Sequence, residues 1–476
     1  NLTPFPEGPV QSRIVAYTIR TGEAGSLLEI PIQRESGEAL YLQVAAHLRR
    51  LIGSGSLPPG TRLPGTRVLS RQLDISRTTV MQAYAILEDD GKIRLEGRSG
   101  AFVLGQSPDS ESPMKKDEAI DLASGLPSMD LVPVKSISRA LRDILSASPE
   151  ASLLGSPPEG LEPLRRALVS HAAARGIPAS WESLMVTAGL QEGLSILLRT
   201  LSVSGTRTLW VEPLTYPDSA RMAKSEGMQV RCLPADPSGI PGCVSGMDRR
   251  DALYLIPSFH NPLGRTLPLA LRRDILSETV RRGAWVIEDD AYGELRYGEQ
   301  SVPALKSLPE AERVIYMGSF GQALFPGLRF GYLLLSPALS EAAGAVRRIR
   351  TGGASSLVQM LVLRLIESGS LARALDTVRL QMSIRMEGLS AALSRELPGF
   401  PFSRPEGGIY LWLETPGLDG ARAASLSLAR GVRVVPGEEF SVEGRKVEGV
   451  RLSISRHGAH TLVRAASALA AAWRPS

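Results

Sequence analysis

Five short apolar runs beyond residue 180 alternate with amphipathic stretches of helical periodicity. The runs are LMVTAG (184–189), TLWVE (208–212), ALYLIPS (252–258), WVIEDD (285–290) and VIYMGSF (314–320). Strands that read as nearly continuous apolar runs are buried on both faces, and helical connections between them favour a mostly parallel sheet covered by helices. We therefore predict a large α/β domain. Ligand sites in such domains lie beyond the carboxyl ends of the strands.

The chain before residue 106 follows a different pattern. From Ala39, apolar residues recur at helical spacing, and the segment GSGSLPPG (53–60) ends that helix. A second short helix is predicted from Thr66 to Leu73, and Ser76 is a good N-cap for a third helix. The apolar face of the third helix holds Val80, Tyr84 and Leu87. Two strand-like runs between Lys92 and Gly105 complete the order of a winged helix.

A segment rich in serine, proline and charge separates the two patterns. Residues 106–119 contain almost no apolar side chain, so we predict a flexible linker between independent units. The chain then divides into an N-terminal extension (1–36), a winged helix (37–105), the linker and an α/β domain (120–476).

The composition narrows the class of protein. With 43% hydrophobic and 22% charged residues, and no apolar run long enough to span a bilayer, the chain is typical of soluble globular proteins. Residues 1–10 lack the basic and apolar parts of a signal peptide. Cys232 and Cys243 form neither a disulfide framework nor a metal-binding spacing, which favours a reducing compartment. We therefore expect a cytoplasmic protein without a metal site or membrane contact, and the pI near 9.3 weakly favours an anionic partner.

Polar and basic residues cluster around the predicted third helix of the winged helix. In a helix-turn-helix, the second helix of the pair presents its N-terminal residues to the major groove, and flanking basic groups hold phosphates. Arg77, Thr78 and Thr79 begin that helix, and basic residues flank it at Arg62, Arg67, Arg94 and Arg98. Each arginine alone would also fit a small protein-interaction domain with solvated charges. The whole run from residue 40 to residue 105 favours DNA.

The segment from Ala39 to Ile93 resembles the winged-helix domain of the GntR family over its full length. The resemblance implies a double-stranded DNA operator as the partner. By this resemblance, the candidate DNA contacts are Arg62, Arg67, Ser76, Arg77, Thr78 and Thr79, with Arg98 and Gly100 on the wing.

Several residues of the α/β domain together suit a pyridoxal phosphate pocket. Asp289, at the end of a strand, could keep a pyridine nitrogen protonated, and Asn261 and Tyr292 could hydrogen-bond the ring's phenolic oxygen. Tyr216 could stack on the ring. The backbone N–H groups of Gly189, Leu190 and Gln191, at a strand-to-helix turn, could hold a phosphate together with the side chains of Ser319 and Arg329. Arg451 could hold a ligand carboxylate.

In this order and spacing, these residues resemble the fold-type I aminotransferase family from Asp121 to Trp473, and the segment Ser156 to Leu168 adds that family's early Gly and Leu-Arg pair. A winged helix joined to such a domain resembles the MocR subfamily of GntR regulators. The resemblance implies a mostly parallel sheet with a smaller C-terminal subdomain. It also implies that residues 120–476 bind an effector and form a homodimer.

The chain departs from the family at the lysine that forms a Schiff base with the cofactor. The family reads Ser-Phe-Ser-Lys-Thr where this chain has Ser319, Phe320, Gly321, Gln322 and Ala323. An amide is not a nucleophilic amine, so Gln322 can neither form the Schiff base nor move the proton of transamination. Leu154 stands where the family commonly has a tyrosine that reaches the partner subunit's phosphate. One engineered substitution would not explain several departures, so natural loss is favoured over an engineered change.

The expected function is a DNA-binding transcription regulator that senses a small ligand without Schiff-base chemistry and is not an enzyme. The ligand could be non-covalent pyridoxal phosphate, its pyridoxamine form, a cofactor–amino acid adduct, or another phosphorylated or carboxylated metabolite. The main alternative is a pyridoxal phosphate-dependent aminotransferase that carries a DNA-binding domain, and Gln322 argues against it. A third possibility, a purely architectural DNA-binding protein, leaves the polar residues of the pocket without a role.

Overall fold

The computed structural model of the chain describes residues 18–21, 26–30, 32, 39–96, 100–104, 119–298, 302–322 and 324–474. They fall into two compact units, which divide between residues 118 and 119, with residues 458–460 grouped with the first unit. The predicted linker lies outside the described residues except for its last position, so its flexibility stays a prediction.

The first unit contains short strands and three helices. In chain order they are β1 (Thr18–Thr21), β2 (Ser26–Glu29), α1 (Leu40–Gly53), β3 (Arg62–Leu63), α2 (Thr66–Gln72), α3 (Arg77–Asp89), β4 (Ile93–Glu96) and β5 (Gly100–Val103). The antiparallel pair β1–β2 lies within the predicted N-terminal extension, where the sequence showed no periodicity. The three helices and the hairpin confirm the winged-helix prediction.

Burial of one face of each helix forms the core of the winged helix. Val44, Leu48 and Ile52 of α1 are buried, as are the three residues predicted for the inner face of α3: Val80, Tyr84 and Leu87. The Ser76 hydroxyl accepts a hydrogen bond from the Thr79 backbone N–H at 3.0 Å, which confirms Ser76 as the N-cap of α3. β5 pairs antiparallel with β4 and with β3, a third strand that the sequence analysis did not predict.

The second unit alternates strands and helices. Its elements in chain order are β6 (Ile120–Asp121), α4 (Val134–Ala147), α5 (Pro149–Leu153), α6 (Glu162–Ala173), β7 (Leu184–Thr187), α7 (Leu190–Val203), β8 (Thr208–Val211), α8 (Pro217–Ser225), β9 (Gln229–Cys232), α9 (Ile240–Val244), β10 (Asp251–Leu255), α10 (Leu269–Arg282), β11 (Trp285–Asp290), β12 (Val314–Ser319), β13 (Gly331–Leu334), α11 (Pro337–Arg350), α12 (Ser356–Glu367), α13 (Ser370–Glu396), β14 (Tyr410–Glu414), α14 (Gly420–Ala429), β15 (Val432–Arg433), β16 (Val435–Pro436), β17 (Gly449–Ser453) and α15 (Ala459–Trp473).

A seven-stranded sheet organises the second unit, in the order β7-β13-β12-β11-β10-β8-β9. Only β13 runs antiparallel to its neighbours. All five apolar runs form strands of this sheet, which confirms the predicted α/β class. Strands β7, β12 and β13 are buried at every position, as expected for a sheet with helices on both faces.

A smaller antiparallel sheet of β14, β17 and β16 follows the 27-residue helix α13. β6, at the start of the unit, pairs in parallel with β15. The first residues of the unit therefore pack with its last third, and β17 carries Arg451 there. None of the helices in the described part of the chain is long and apolar enough to cross a membrane.

Candidate functional sites

A cavity of about 510 Å³ opens at the carboxyl ends of β7, β11 and β12, where ligand sites of open α/β sheets lie. All the residues predicted for the pocket line this cavity: Gly189, Leu190, Gln191, Tyr216, Asn261, Asp289, Tyr292, Ser319, Gln322, Arg329 and Arg451. The tertiary structure thus gathers the predicted set, while the role of each residue toward a ligand stays a prediction.

One end of the cavity suits an anion. Gly189, at φ +96°, is the N-cap of α7, and the first backbone N–H groups of a helix have no acceptor within the helix. A Cβ added at Gly189 would lie 3.9 Å from Cζ of Arg329, so the guanidinium stands beside this helix N-terminus. The Ser319 hydroxyl donates to the carbonyl of Phe330 at 2.7 Å and accepts from the N–H of Gly321. Ser319 would have to exchange the first of these bonds to donate to an anion.

A buried carboxylate faces the middle of the cavity. Asp289 lies near the end of β11 and is only 6% exposed. Its Oδ2 accepts a hydrogen bond from the Tyr254 hydroxyl at 2.5 Å, and its Oδ1 accepts from the Ala291 N–H at 3.1 Å. Burial raises the pKa of Asp289 to about 6, and the two hydrogen bonds hold it below what burial alone would give. Tyr254 was not among the predicted site residues, although its hydroxyl is a polar group inside an apolar run.

Two predicted tyrosines contribute hydroxyl groups. Tyr216 donates to Asp218 at 3.0 Å, and Tyr292 packs edge-on against Tyr410 with ring centroids 5.5 Å apart. Burial is the main cause that raises the pKa of both Tyr216 and Tyr292 above the ordinary value. Both phenols therefore keep their protons at neutral pH and can donate hydrogen bonds.

Arg451 lies between two aromatic rings in the wall of the cavity. Its Nη1 donates to Oδ1 of Asn261 at 2.9 Å, and its Nη2 donates to the carbonyl of Ala123 at 2.7 Å. Its Cζ is 3.9 Å from the ring centroid of Tyr410 and 4.8 Å from that of Phe440. Ala123, Tyr410 and Phe440 were not among the predicted site residues, because nothing local in the chain relates them to Arg451.

Gln322 borders the cavity together with Ser319 and Arg329. Its Oε1 is buried and has no hydrogen-bond partner among the described residues. No lysine is among the residues that line the cavity in the part of the chain that the structure describes. Ala323 lies outside that part. The described residues also include no group of three or more His, Cys, Asp or Glu side chains that could hold a metal ion.

The candidate DNA-contacting residues occupy the start of α3 and its surroundings. Ser76, Arg77 and Thr78 are exposed, Thr79 is half-buried, and Arg62 and Arg67 are exposed before α3. The Arg77 Nε donates to the Thr66 hydroxyl at 3.3 Å, which orients the side chain toward the N-terminus of α2.

The wing strands contribute further candidates. Gly100, at φ +110°, begins β5, and a Cβ there would approach the Nε of Arg62 to 3.1 Å. Arg94 pairs with Glu96 at 2.7 Å, which reduces the charge it can offer to a phosphate. Arg98 lies outside the described residues, so its position on the wing stays a prediction.

Comparisons with known proteins match both units. Residues 117–469 match the family "Aminotransferase class I and II", and residues 40–103 match "Bacterial regulatory proteins, gntR family". The chain is 33% identical to a 2-aminoadipate transaminase of Thermus thermophilus, over 70% of this chain and 85% of the relative. It is 27% identical to the probable rhizopine catabolism regulatory protein MocR of Rhizobium meliloti, over 77% of this chain and 79% of the relative.

A solved structure gives the same result for the second unit. The α-aminoadipate aminotransferase LysN of Thermus thermophilus, complexed with N-(5'-phosphopyridoxyl)-L-leucine, is similar with a TM-score of 0.68 and 29% identity. The similarity covers 77% of this chain and 95% of that chain. The two matched families account for the two units separately: the chain belongs to the aminotransferase class I and II family, and the DNA-binding module of the bacterial gntR regulators precedes its fold-type I domain, as in MocR-like proteins.

Proposed function

We propose that this protein is a ligand-responsive, DNA-binding transcription regulator that senses a small molecule in the cavity without Schiff-base chemistry. The observation that carries the proposal is Gln322 among the lining residues, together with the lack of a lysine among the described residues of that lining. A primary amide does not add to an aldehyde as an amine does, so Gln322 can only bind and orient a ligand.

The residues of the cavity fit pyridoxal phosphate held without a covalent bond. The guanidinium of Arg329 has no hydrogen bond or ion pair with another described residue, and it stands beside the free N–H groups of α7, so this end can hold the phosphate. Asp289 can hold a proton at the ring nitrogen, and Tyr292 can donate to the phenolic oxygen. When bound, the cofactor would supply an aldehyde or an amine at its 4′ position. Gln322 would face a ligand there without reacting with it.

Arg451 could connect ligand binding to the segment at the start of the second unit. Its hydrogen bond to the Ala123 carbonyl is one of several that connect β17 and the residues after it to residues 121–128. The Ser453 N–H donates to Leu122 at 2.7 Å, and the Ser455 hydroxyl donates to Leu126 at 2.9 Å. A ligand carboxylate on Arg451 competes with the Ala123 carbonyl. Ligand binding would therefore shift the segment that follows the DNA-binding unit in the chain, and such a differential contact is what a regulatory ligand requires.

We further propose a homodimer formed by the second unit. Apolar side chains lie exposed in the first part of this unit, among them Met129 at 72% and Leu154 at 66% exposed, with Leu126, Val134 and Leu153 also exposed. Exposed apolar side chains, when they adjoin on the surface, are typical of a protein interface. Two winged helices in one dimer would read two half-sites of an operator.

Cys232 and Cys243 are free thiols, which supports the expected cytoplasmic location.

The experiment is a titration of operator DNA at fixed salt, with and without pyridoxamine 5′-phosphate, pyridoxal 5′-phosphate and amino acids, accompanied by native mass spectrometry. We expect a non-covalent ligand that dialysis removes and that changes DNA affinity. The identity with a transaminase favours one alternative, a working aminotransferase. Conversion of bound pyridoxal phosphate to its pyridoxamine form by any amino acid would establish that alternative and contradict our proposal.

A further inference from the structure

Among the residues that the structure describes, four charged side chains line the cavity: Asp289, Arg329, Glu439 and Arg451. Asp289 is bonded to Tyr254, and Arg329 stands beside the N-terminus of α7, so these two suit the ring and the phosphate of a cofactor. The remaining pair, Arg451 and Glu439, carries one positive and one negative charge. Neither side chain of this pair is needed to bind the ring or the phosphate of a cofactor.

Glu439 and Arg451 lie at different depths of the same wall. Glu439 belongs to the turn of residues 437–440 and directly precedes Phe440, whose ring centroid is 4.8 Å from Cζ of Arg451. Arg451 is 8% exposed, and its Nε is buried without a hydrogen-bond partner among the described residues. The side chain of Glu439 is exposed and makes no ion pair or hydrogen bond with any residue that the structure describes.

An unpaired carboxylate that lines the same cavity as a buried guanidinium selects ligands by charge. A ligand with two carboxylates would bring its second negative charge near Glu439, whereas a cationic group would be attracted there. The rings of Tyr410 and Phe440 beside Arg451 offer apolar surface to a short chain of methylene groups. We propose that this part of the cavity binds a basic amino acid, with its carboxylate on Arg451 and its side-chain cation on Glu439. The inference rests on the proposed function, because it names the class of the effector.

The test compares three amino acids of similar length in the full-length protein loaded with pyridoxamine 5′-phosphate. L-lysine is cationic at its end, L-norleucine is neutral and L-2-aminoadipate is anionic. Isothermal titration calorimetry measures each Kd in the wild type, Glu439→Gln and Glu439→Lys. Glu414→Gln is the matched control, because Glu414 is also an exposed glutamate of this unit but does not line the cavity.

We expect the wild type and Glu414→Gln to bind lysine about fivefold more tightly than norleucine, the upper range for an exposed ion pair. Glu439→Gln should remove this preference, and Glu439→Lys should reverse it in favour of 2-aminoadipate. 1,5-Diaminopentane, which lacks the carboxylate of lysine, should bind more weakly than lysine to every variant. An equal ratio of lysine to norleucine affinity in the wild type and in Glu439→Gln would overturn the inference.

Other outcomes separate this inference from the proposed function. If pyridoxamine 5′-phosphate binds and changes DNA affinity but no amino acid binds, the inference is wrong and the proposed function stands. If no small molecule binds or changes DNA affinity, both are wrong. Circular dichroism and the thermal midpoint of each variant identify a loss of folding, which is not expected because Glu439 is exposed.

Discussion

The DNA-reading surface and the ligand cavity differ in how the chain builds them. The candidate DNA contacts lie between residues 62 and 100, and most are exposed around the start of one helix. The cavity draws its residues from positions 123 to 451, and its acidic and basic groups include the buried Asp289 and Arg451. Exposed groups cost little to present to a partner, whereas buried charges must be compensated by hydrogen bonds inside the protein. Substitutions of the exposed arginines on the first surface should therefore affect binding alone, whereas substitutions of the buried charges in the cavity should affect binding and stability together.

The largest expected effect concerns the chemistry of the cavity. Gln322→Lys should place an amine among residues that suit pyridoxal phosphate, so borohydride should fix about one pyridoxyl group per chain at this position after cofactor is added. Peptide mapping by mass spectrometry measures the label. Gln191→Lys, at another lining position, is the control and should give no such label. A label on one of the native lysines of the wild type would contradict our interpretation of Gln322.

The next prediction concerns the effect of the buried Asp289 carboxylate on the stability of the fold. Because burial raises the pKa of Asp289 to about 6, the native state binds its proton before the unfolded state does as the pH falls. The carboxylate therefore lowers the free energy of unfolding as the pH rises from about 4 to about 6, and this loss persists above that range. Asp289→Asn should be more stable than the wild type at pH 7.5, by on the order of 3 kcal/mol.

The stability difference for Asp289→Asn should vanish near pH 4, where both side chains are neutral in the folded state. Urea unfolding at several pH values, followed by the fluorescence of the second unit, measures it. The same variant should bind pyridoxamine 5′-phosphate more weakly, because it cannot balance a protonated ring nitrogen. A variant that is less stable than the wild type at pH 7.5 would show that the bonds from Tyr254 and Ala291 outweigh the cost of burial.

On the DNA-reading surface, Arg77→Ala should weaken specific operator binding by about 1–3 kcal/mol if Arg77 contacts a base edge. The thermal midpoint should hardly change, because Arg77 is exposed. Arg62→Ala is the comparison variant and should weaken binding to all sequences alike, as expected for a phosphate contact. Fluorescence anisotropy at several salt concentrations separates the two. Unchanged operator affinity of Arg77→Ala would show that α3 is not the reading helix.

The smallest effect tests the cap of the reading helix. Ser76→Ala removes the acceptor for the Thr79 N–H and should destabilise the first unit by about 1 kcal/mol. Ser76→Asp keeps a capping oxygen, so it should retain stability but weaken DNA binding, because its charge would face the phosphates. Thermal unfolding and anisotropy on the same samples measure both. Equal DNA affinity of Ser76→Asp and the wild type would place Ser76 away from the DNA.

Much of the fold could be predicted because its signals are local. The run WVIEDD coincides with β11, and the apolar face predicted for α3 is buried. Strands β9 and β13 were missed for different reasons. β9 is an edge strand with exposed and half-buried residues, so it lacks an apolar run. β13 follows β12 without an α-helix between them, so it departs from the alternation of strands and helices on which the prediction depended.

The candidate site was predictable to the extent that each residue belongs to a recognisable segment. Asp289 follows an apolar run, Asn261 stands in HNPLG, and Gln322 follows Ser319 and Phe320. Tyr254, Tyr410 and Glu439 were not predicted. The role of the two tyrosines depends on neighbours more than 30 positions away, and that of Glu439 depends on which side of a turn meets the cavity.

The sequence by itself determined the two-unit organisation, the α/β class and the identity of the groups available for chemistry, because periodicity and residue type are properties of the chain. The tertiary structure alone decided their environment. It buried Asp289 and thereby raised the pKa of its carboxyl group, although the hydrogen bond from Tyr254 opposes that rise. It engaged Arg451 with Asn261 and Ala123, and it left the side chains of Arg329 and Glu439 without hydrogen-bond or ion-pair partners among the described residues. Burial and hydrogen bonding depend on contacts between distant segments, and only folding brings those segments together.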